Sequence, residues 1–312
     1  MKENILSAYQ KISPFIVNTP LIKSAYLSRL TNSDVYLKLE NLQTTGSFKL
    51  RGALNKIFSN TNNNYFVTAS TGNHALGFAK ALQLSNKKGV VFLPENAKKN
   101  KIEQLKQYNV ELKFYGKDCV NTELFAKKYA LEKEAVWVSP YNDESIIYGQ
   151  GTIGKEITDC LNSFDNIFVC VGGGGLISGV AGWIKSNHLS TKIFACQPFN
   201  SPEMSISIKK GKIVENYINS PTLSDASAGG IETNSITFDY CKLFVDDFLL
   251  AKEEEIKQTI LAMLKHQKTL IEGAAAVPIA CLINNKEQFK NKKNVVIVCG
   301  GNIDIKLVKE WM

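Results

Sequence analysis

Short β-branched and aromatic segments alternate with longer segments of helical periodicity over most of the chain after residue 64. The strand-like segments are Tyr65–Ala69, Gly89–Leu93, Glu111–Tyr115, Ala135–Val138, Asn166–Val171, Lys192–Cys196 and Val295–Cys299. The helical segments are Asn73–Leu84, Ala97–Tyr108, Val120–Lys133, Gly151–Leu161, Leu176–Asn187, Glu253–Gln267 and Gly273–Asn284. Buried strands that alternate with helices predict an α/β fold with a mostly parallel sheet covered by helices on both faces.

The predicted strands fall into two groups, one before residue 140 and one after residue 165. Two groups favour two α/β lobes, and a chain of 312 residues is long enough for both. Because ligands of such folds bind at the carboxyl ends of the strands, we expect the functional site in the cleft between the lobes.

The composition is that of a globular protein, since 44% hydrophobic and 21% charged residues exclude a disordered, collagen-like or coiled-coil chain. The 37 Lys and Arg exceed the 29 Asp and Glu, which gives a net charge of +8. Lys98, Lys99 and Lys101 are predicted on a helix beside Glu95 and Glu103, an arrangement typical of a solvated helix face. No aromatic residues are interleaved with these lysines, so nucleic-acid binding is not expected.

The seven cysteines are scattered and form no C-x-x-C pair, which argues against zinc ribbons and a disulfide scaffold. We expect them to be reduced and buried. The N-terminus lacks the pattern of a signal peptide, and no apolar run reaches the roughly 18 residues of a transmembrane helix. These features predict a soluble cytoplasmic protein without a membrane partner.

Four consecutive glycines, Gly172–Gly175, stand between a predicted strand and a predicted helix. Without Cβ atoms the backbone can turn tightly and point several N–H groups at one anion, and the helix N-terminus adds its positive dipole end. A structural strand-to-helix turn usually needs only one glycine, so the cluster favours a phosphate site.

Two nucleotide motifs fit this chain poorly. The glycine spacing of a dinucleotide fingerprint fails from Gly172, because the sixth position is Ile177, and no acidic residue follows the next strand. Gly149–Lys155 mimics a P-loop, but Glu156 replaces the hydroxyl residue that binds magnesium. We interpret that segment as the beginning of a helix.

Two further clusters carry candidate chemistry. Lys49 lies in the mostly uncharged stretch Thr45–Gly52 with Arg51 nearby, and a desolvated lysine near another cation has the lowered amine pKa that Schiff-base formation needs. The segment Thr68–Ala75 has the strand–turn–helix pattern, and its hydroxyl, amide and N–H groups suit a substrate carboxylate or cap the helix. Within it, His74 alone is more typical of a structural histidine than of a base.

These three clusters, in this order, resemble the fold-type II pyridoxal 5′-phosphate (PLP) enzymes, whose fold is similar to the tryptophan synthase β chain. The branch that they resemble contains the serine/threonine dehydratases (threonine ammonia-lyases) and the serine racemases. The shared motifs, which span nearly the whole chain, are Asn18–Leu21, Thr45–Ala53, Ser70–His74, Gly149–Thr152, Gly172–Gly175, Glu272–Ala274 and Gly300–Asn302.

The resemblance implies a role for each matching position. Lys49 would bind PLP and later move the Cα proton, with Phe48 near the ring, Asn73 at its O3′ and Cys299 at its nitrogen. Gly172, Gly173, Gly174 and Gly175 would hold the phosphate. Ser70, Thr71, Asn73 and His74 would bind the substrate carboxylate. The implied domains are a large cofactor-binding domain, residues 1–52 and 148–312, and a small mobile domain, residues 53–147.

The chain departs from the family pattern at several positions. Cys299 replaces the usual Ser, and Thr71 stands where serine racemases carry a Ser that acts as acid and base. Relatives often bind a divalent ion, and the matching stretch offers Gln197, Ser201 and Glu203. Because Gln197 lacks a charge, a monovalent cation or no metal fits as well. Asp225–Ala226 replaces the usual Asp-Gly, so the loop through Gly229 and Gly230 is expected to follow another path.

The resemblance implies α,β-elimination of a small β-hydroxy amino acid, such as L-threonine or L-serine, to a 2-oxo acid and ammonia. The alternatives are an amino-acid racemase, a dehydratase of a bulkier or acidic substrate such as 3-hydroxyaspartate, and a binding protein that has lost catalysis. A homodimer is the family expectation. The length also leads us to expect no C-terminal effector-binding domain.

Overall fold

The computed structural model describes residues 1–97, 99–187, 190–215 and 217–312. The strands are β1 (Leu21–Lys23), β2 (Asp34–Leu39), β3 (Tyr65–Ala69), β4 (Lys88–Leu93), β5 (Glu111–Phe114), β6 (Val136–Trp137), β7 (Asn166–Cys170), β8 (Lys192–Pro198), β9 (Asp247–Ala251) and β10 (Lys293–Val298). The helices are α1 (Lys2–Ile12), α2 (Ala25–Thr31), α3 (Lys49–Ser59), α4 (Asn73–Ser85), α5 (Lys99–Lys106), α6 (Cys119–Glu132), α7 (Glu144–Cys160), α8 (Gly175–Ser186), α9 (Glu203–Lys210), α10 (Ile236–Phe244), α11 (Glu253–Ala262), α12 (Gly273–Asn284), α13 (Lys286–Phe289) and α14 (Ile305–Trp311).

Two separate sheets organise these elements. The larger has the order β1-β2-β10-β7-β8-β9 and is parallel except for β1, which pairs antiparallel to β2. The smaller has the order β5-β4-β3-β6 and is parallel throughout. The strands β3–β6 come from residues 65–137, whereas β1, β2 and β7–β10 build the larger sheet. The predicted two-lobed α/β fold is confirmed, and the domain bounds stay a prediction.

The strand β2 was not predicted from the pattern, and it belongs to the larger sheet. The strand β2 precedes residue 140 but pairs with β10, so that Leu39 lies opposite Val298 in the larger sheet. The sequence pattern missed β2 because it contains Lys38, which is only 1% exposed. Its ammonium donates hydrogen bonds to the Thr19 carbonyl at 2.6 Å and to Glu156 at 2.5 Å, so a charged residue occupies a buried strand position.

Other predicted elements changed their bounds. The helix α7 begins at Glu144 rather than Gly151, because the Asp143 carboxylate accepts a hydrogen bond from the Ile146 amide at 3.1 Å and caps its N-terminus. The P-loop-like segment therefore lies inside a helix. The helix predicted to end at Gln267 changes to a π-helical turn after Ala262. The partly buried strand β9 was not predicted from the pattern.

Two surface expectations also need correction. Cys119 and Cys160 are exposed because they occupy the first position of α6 and the last of α7, whereas the other five cysteines are buried as expected. Lys101 lies 3.8 Å from Asp225 of the larger lobe, so it does not simply face solvent. Lys98 lies outside the described residues. Within those residues no helix is both long and apolar enough to cross a membrane.

A cluster of fully buried charges joins three elements beneath the cleft. The Arg51 guanidinium of α3 donates to both carboxylate oxygens of Glu40 at 2.8 Å and to Glu156 of α7 at 2.7 and 2.8 Å. Lys38 of β2 completes the pairing of Glu156. Although burial alone would raise it, Arg51 holds the pKa of Glu40 below its usual value. Two buried cations and two buried carboxylates thus balance one another.

Removing one member of this cluster should destabilise the protein strongly. We expect Arg51→Met to lower the free energy of unfolding by about 3–5 kcal/mol, because it leaves Glu40 and Glu156 short of buried positive charge. Urea unfolding followed by circular dichroism measures the loss. Lys23→Ala removes the exposed pair with Asp34 and should cost less than about 1 kcal/mol. If both substitutions lowered the free energy of unfolding equally, the buried charge cluster would not have the stabilising role that we assign to it.

Candidate active site

A cavity of about 490 Å³ lies between the lobes, at the carboxyl ends of strands from both sheets. It brings together Phe48 and Lys49, the loop of Ser70, Thr71 and Asn73, the glycines Gly172–Gly175, and Cys299. A neighbouring cavity of about 340 Å³ shares Lys49 and the serine–threonine loop and adds His74. Every position that the resemblance assigned to cofactor or substrate therefore lines one of two adjoining spaces.

Backbone pairing fixes Lys49 at the base of this cavity. Ser47 forms an isolated antiparallel bridge with Gly300, and the Phe48 amide donates to the Cys299 carbonyl at 3.1 Å. The helix α3 then begins at Lys49, whose ammonium donates to the Pro140 carbonyl at 2.7 Å. Burial lowers the pKa of Lys49 to about 8. Since the usual value is 10.5, the neutral nucleophilic amine is roughly two orders of magnitude more abundant near neutral pH.

The four glycines form a cup that has no room for side chains. A Cβ added to Gly172 would lie 2.7 Å from the Ser227 carbonyl oxygen, and one on Gly173 would lie 2.4 Å from the Tyr141 ring. Gly174 has a φ of +88°, and α8 begins at Gly175. Among the described residues, no backbone carbonyl accepts a hydrogen bond from these four amides. Free N–H groups at a helix N-terminus fit a phosphate.

Asn73 belongs to a network that joins three distant parts of the chain. Its side-chain amide donates to Glu272 at 2.7 Å and accepts from the Asn302 amide at 2.8 Å. The Asn302 backbone N–H donates to the second oxygen of Glu272 at 3.2 Å, and the Glu272 N–H donates to the Gly300 carbonyl at 3.1 Å. The amide orientation of Asn73 is thus determined on both sides, which prepares it to contact a cofactor substituent.

Glu272 is a site residue to which the sequence reasoning gave no role. It lines both cavities and is 4% exposed. Burial, followed by the charge of Asp225, raises the pKa of Glu272 to about 7, although Asn73 opposes the shift. The Glu272–Ala274 motif was the available signal, but only the fold shows that this carboxylate contacts Asn73.

Among the predicted substrate-binding residues, Ser70 and Thr71 differ from His74 in their surroundings. Ser70 and Thr71 line the cavities. His74 is 3% exposed, and its Nε2 lies 2.9 Å from the Thr68 hydroxyl and 3.1 Å from the Val138 carbonyl. Burial, and then the charge of Lys49, lower the pKa of His74 to about 3, so its ring is neutral. The Nε2 of His74 thus contacts groups of the smaller lobe, and the substrate role of His74 stays a prediction.

Cys299 follows β10 and lines the cavity while only 2% exposed. A hydrogen bond with the Cys170 thiol, and then burial, raise the pKa of Cys299 well above its usual value. The group at this position is therefore an uncharged thiol and a weak donor.

The predicted cation residues are engaged with other protein groups. The Gln197 side-chain oxygen accepts from the Ser205 N–H at 2.8 Å, and the Ser201 hydroxyl donates to Glu203 at 3.0 Å. Asn219 donates to the other oxygen of Glu203. No group of three or more His, Cys, Asp or Glu within the described ranges is arranged to hold a metal. The geometry thus gives no support to these metal candidates.

Comparison with known proteins places this site in a family. The model of the family described as pyridoxal-phosphate dependent enzyme matches residues 12–301. This chain belongs to that family. It is 38% identical over 309 residues to the L-threonine ammonia-lyase of Thermotoga maritima, covering 98% of this chain and 76% of the relative. It is also 38% identical to the catabolic L-threonine dehydratase TdcB of Staphylococcus aureus, covering 97% and 89%.

A solved structure agrees in fold. Maize serine racemase superposes with a TM-score of 0.93 at 28% identity, covering 100% of this chain and 96% of that one. The predictions of the family, the fold-type II architecture and PLP as cofactor are confirmed. The site fits this cofactor, because the glycine cup leaves N–H groups free for a phosphate and Lys49 supplies an amine of lowered pKa. We expect Phe48, Asn73 and Cys299 to lie around the ring.

Filling the glycine cup should weaken cofactor binding. Gly173→Ala places a Cβ against the Tyr141 ring, so we expect the affinity for PLP to fall at least about tenfold, as measured by fluorescence titration of the apoprotein. Lys128→Ala, on the exposed face of α6, is the control and should leave that affinity unchanged. Wild-type affinity in Gly173→Ala would show that the cup does not bind the phosphate.

Glu272 should make stability depend on pH. Its usual pKa is 4.5 and its folded value about 7, so between these values the folded state binds more protons than the unfolded state. The free energy of unfolding of the apoprotein should therefore fall as the pH rises from about 4.5 to 7, by an amount on the order of 3 kcal/mol. Glu272→Gln should lack this component in denaturant titrations across that range. The same slope in both proteins would refute the assignment.

Proposed function

We propose that this enzyme deaminates a small β-hydroxy amino acid, such as L-threonine or L-serine, to a 2-oxo acid and ammonia. The observation that carries the proposal is the position of Lys49, whose amine of pKa about 8 lines the same cavity as the glycine cup and the Ser70–Thr71 loop. The names of the relatives, L-threonine ammonia-lyase and L-threonine dehydratase, support the same reaction.

The residues of this chain divide the work of the reaction. We expect the Ser70 and Thr71 hydroxyls and the N–H groups at the start of α4 to bind the substrate carboxylate. PLP, when bound, withdraws electrons from the substrate Cα and so acidifies its proton. The Lys49 amine is neutral in an appreciable fraction of molecules near pH 8 and accepts that proton as general base.

Cys299 and Glu272, which line the same cavity as Lys49, influence the distribution of charge and protons in the site. Cys299 is a neutral thiol, so it offers no carboxylate to stabilise a protonated pyridine nitrogen. We expect a neutral group at this position to favour elimination over transamination. Glu272, with a pKa of about 7, gains or loses a proton near neutral pH at 2.7 Å from Asn73.

Racemisation is a second candidate function. Thr71 lines the same cavity as Lys49, and its hydroxyl is a group that can return a proton to Cα. A threonine side chain is restricted at χ1 by its methyl group, which makes it a less adaptable acid than serine. Similarity to maize serine racemase supports this activity.

We also propose a homodimer in the cytoplasm. All seven cysteines are free, as is usual in a reducing compartment, and the family expectation is a dimer. Light scattering of the purified protein tests the second statement, and a monomeric mass at micromolar concentration would refute it.

The reaction is tested by release of 2-oxo acid from L-threonine, L-serine and 3-hydroxyaspartate. We expect turnover of at least one of the first two, and at least about a 100-fold loss of kcat in Lys49→Ala, because the general base is removed. Lys128→Ala, on the exposed face of α6, is the matched control and should behave as wild type. Without 2-oxo acid from either L-threonine or L-serine, the proposal fails. D-serine formed from L-serine in deuterated water would instead establish racemisation.

A further inference from the structure

One part of the cavity wall combines charged groups from both lobes. Glu123 and Lys127 come from α6 of the smaller lobe, and Glu232 comes from the loop that leads to α10 in the larger lobe. All three line the cavity that contains Lys49. The family motifs of the sequence include none of them.

The positive charge of Lys127 is already neutralised. Its ammonium lies 2.8 Å from a Glu123 oxygen and 3.0 Å from a Glu232 oxygen, and 5.5 Å from the centre of the Trp137 ring. Two carboxylates therefore surround one ammonium, and the group as a whole carries an excess of negative charge. A second anion arriving beside Lys127 would therefore meet a net negative charge.

Glu232 is held in place and retains unused hydrogen-bonding capacity. Its N–H donates to the Tyr141 hydroxyl oxygen at 2.9 Å, and its Oε2 accepts from the Asn142 side-chain amide at 3.2 Å as well as from Lys127. Its Oε1 is shielded from solvent and has no hydrogen-bond partner among the described residues. A buried carboxylate oxygen without a donor is costly, so a donor supplied by a ligand would stabilise it.

We propose that Glu232 determines specificity for the substrate side chain. It selects amino acids whose side chain carries a hydrogen-bond donor such as a hydroxyl group, and it rejects those with a side-chain carboxylate. The inference rests on the proposed function, since it assumes that the substrate occupies the cavity beside Lys49. Like charges that meet in a partly buried site repel one another, which gives the expected discrimination of at least about tenfold.

The test uses Glu232→Gln, which keeps the size of the side chain and an oxygen acceptor for Lys127 and Asn142. The measurement is the ratio of kcat/KM for L-threonine to that for 3-hydroxyaspartate. We expect wild type to prefer L-threonine at least about tenfold and Glu232→Gln to reduce the ratio at least about tenfold, mainly through KM. Glu132→Gln removes an exposed carboxylate of α6 that pairs with Lys128 and should keep the wild-type ratio.

A ratio in Glu232→Gln within twofold of wild type would overturn the proposal, and so would a wild-type preference for 3-hydroxyaspartate. A binding measurement separates this failure from failure of the proposed function. Calorimetry gives the Kd of the holoenzyme for L-alanine and L-aspartate, which carry no β-hydroxyl group to eliminate. If Glu232→Gln gains at least about tenfold affinity for L-aspartate relative to L-alanine, the specificity role holds even without turnover. An unchanged relative affinity would refute it.

Discussion

The buried charge cluster centred on Arg51 is the constraint on which the site depends. Arg51 stands two residues after Lys49 in the same helix, and its guanidinium is held by Glu40 and Glu156 at 2.7–2.8 Å. Because each buried charge is stabilised only by its partners, α3 cannot shift without breaking several ion pairs at once. Lys38, the last member, ties the same cluster to the larger sheet. The position of the Lys49 amine is thus set by buried charges that do not line the cavity.

The cavity between the lobes is lined by partial positive charges of backbone N–H groups and by full negative charges of carboxylates. The glycine cup contributes free N–H groups and the positive end of α8 on one side. Glu272 and Glu232 contribute carboxylates at other parts of the wall. Burial shifts the pKa of Lys49 down and that of Glu272 up, so both groups titrate close to neutral pH. One cavity therefore combines N–H groups that suit an anionic cofactor with an amine and a carboxyl group that titrate near neutral pH.

An element or a site residue could be predicted from the sequence only where its own residues and their immediate neighbours carry a signal. The strands β3, β4, β7 and β8 were found because they are uninterrupted apolar runs. The strand β2 was missed because one of its buried positions is occupied by a charged residue, Lys38. The helix α7 begins earlier in the chain than predicted because Asp143 caps its N-terminus. The glycine cup and Lys49 were found because their composition is unusual. Glu272 and Glu232 were not, since an isolated glutamate gives no local signal of the partners that the fold brings to it.

The sequence by itself determined the alternation of strands and helices, the glycine cup, the reactive lysine and the family, because these are encoded in contiguous residues. Only the tertiary structure decided that Glu272 contacts Asn73, which is 199 positions away in the chain, and that Lys127 pairs with Glu232 across the cleft. It also placed the Nε2 of His74 beside the Thr68 hydroxyl and the Val138 carbonyl. The reason is that a side chain becomes buried, or pairs with a charge, only when segments distant in sequence pack together. Burial and pairing in turn set the pKa and the hydrogen-bond partners of these side chains.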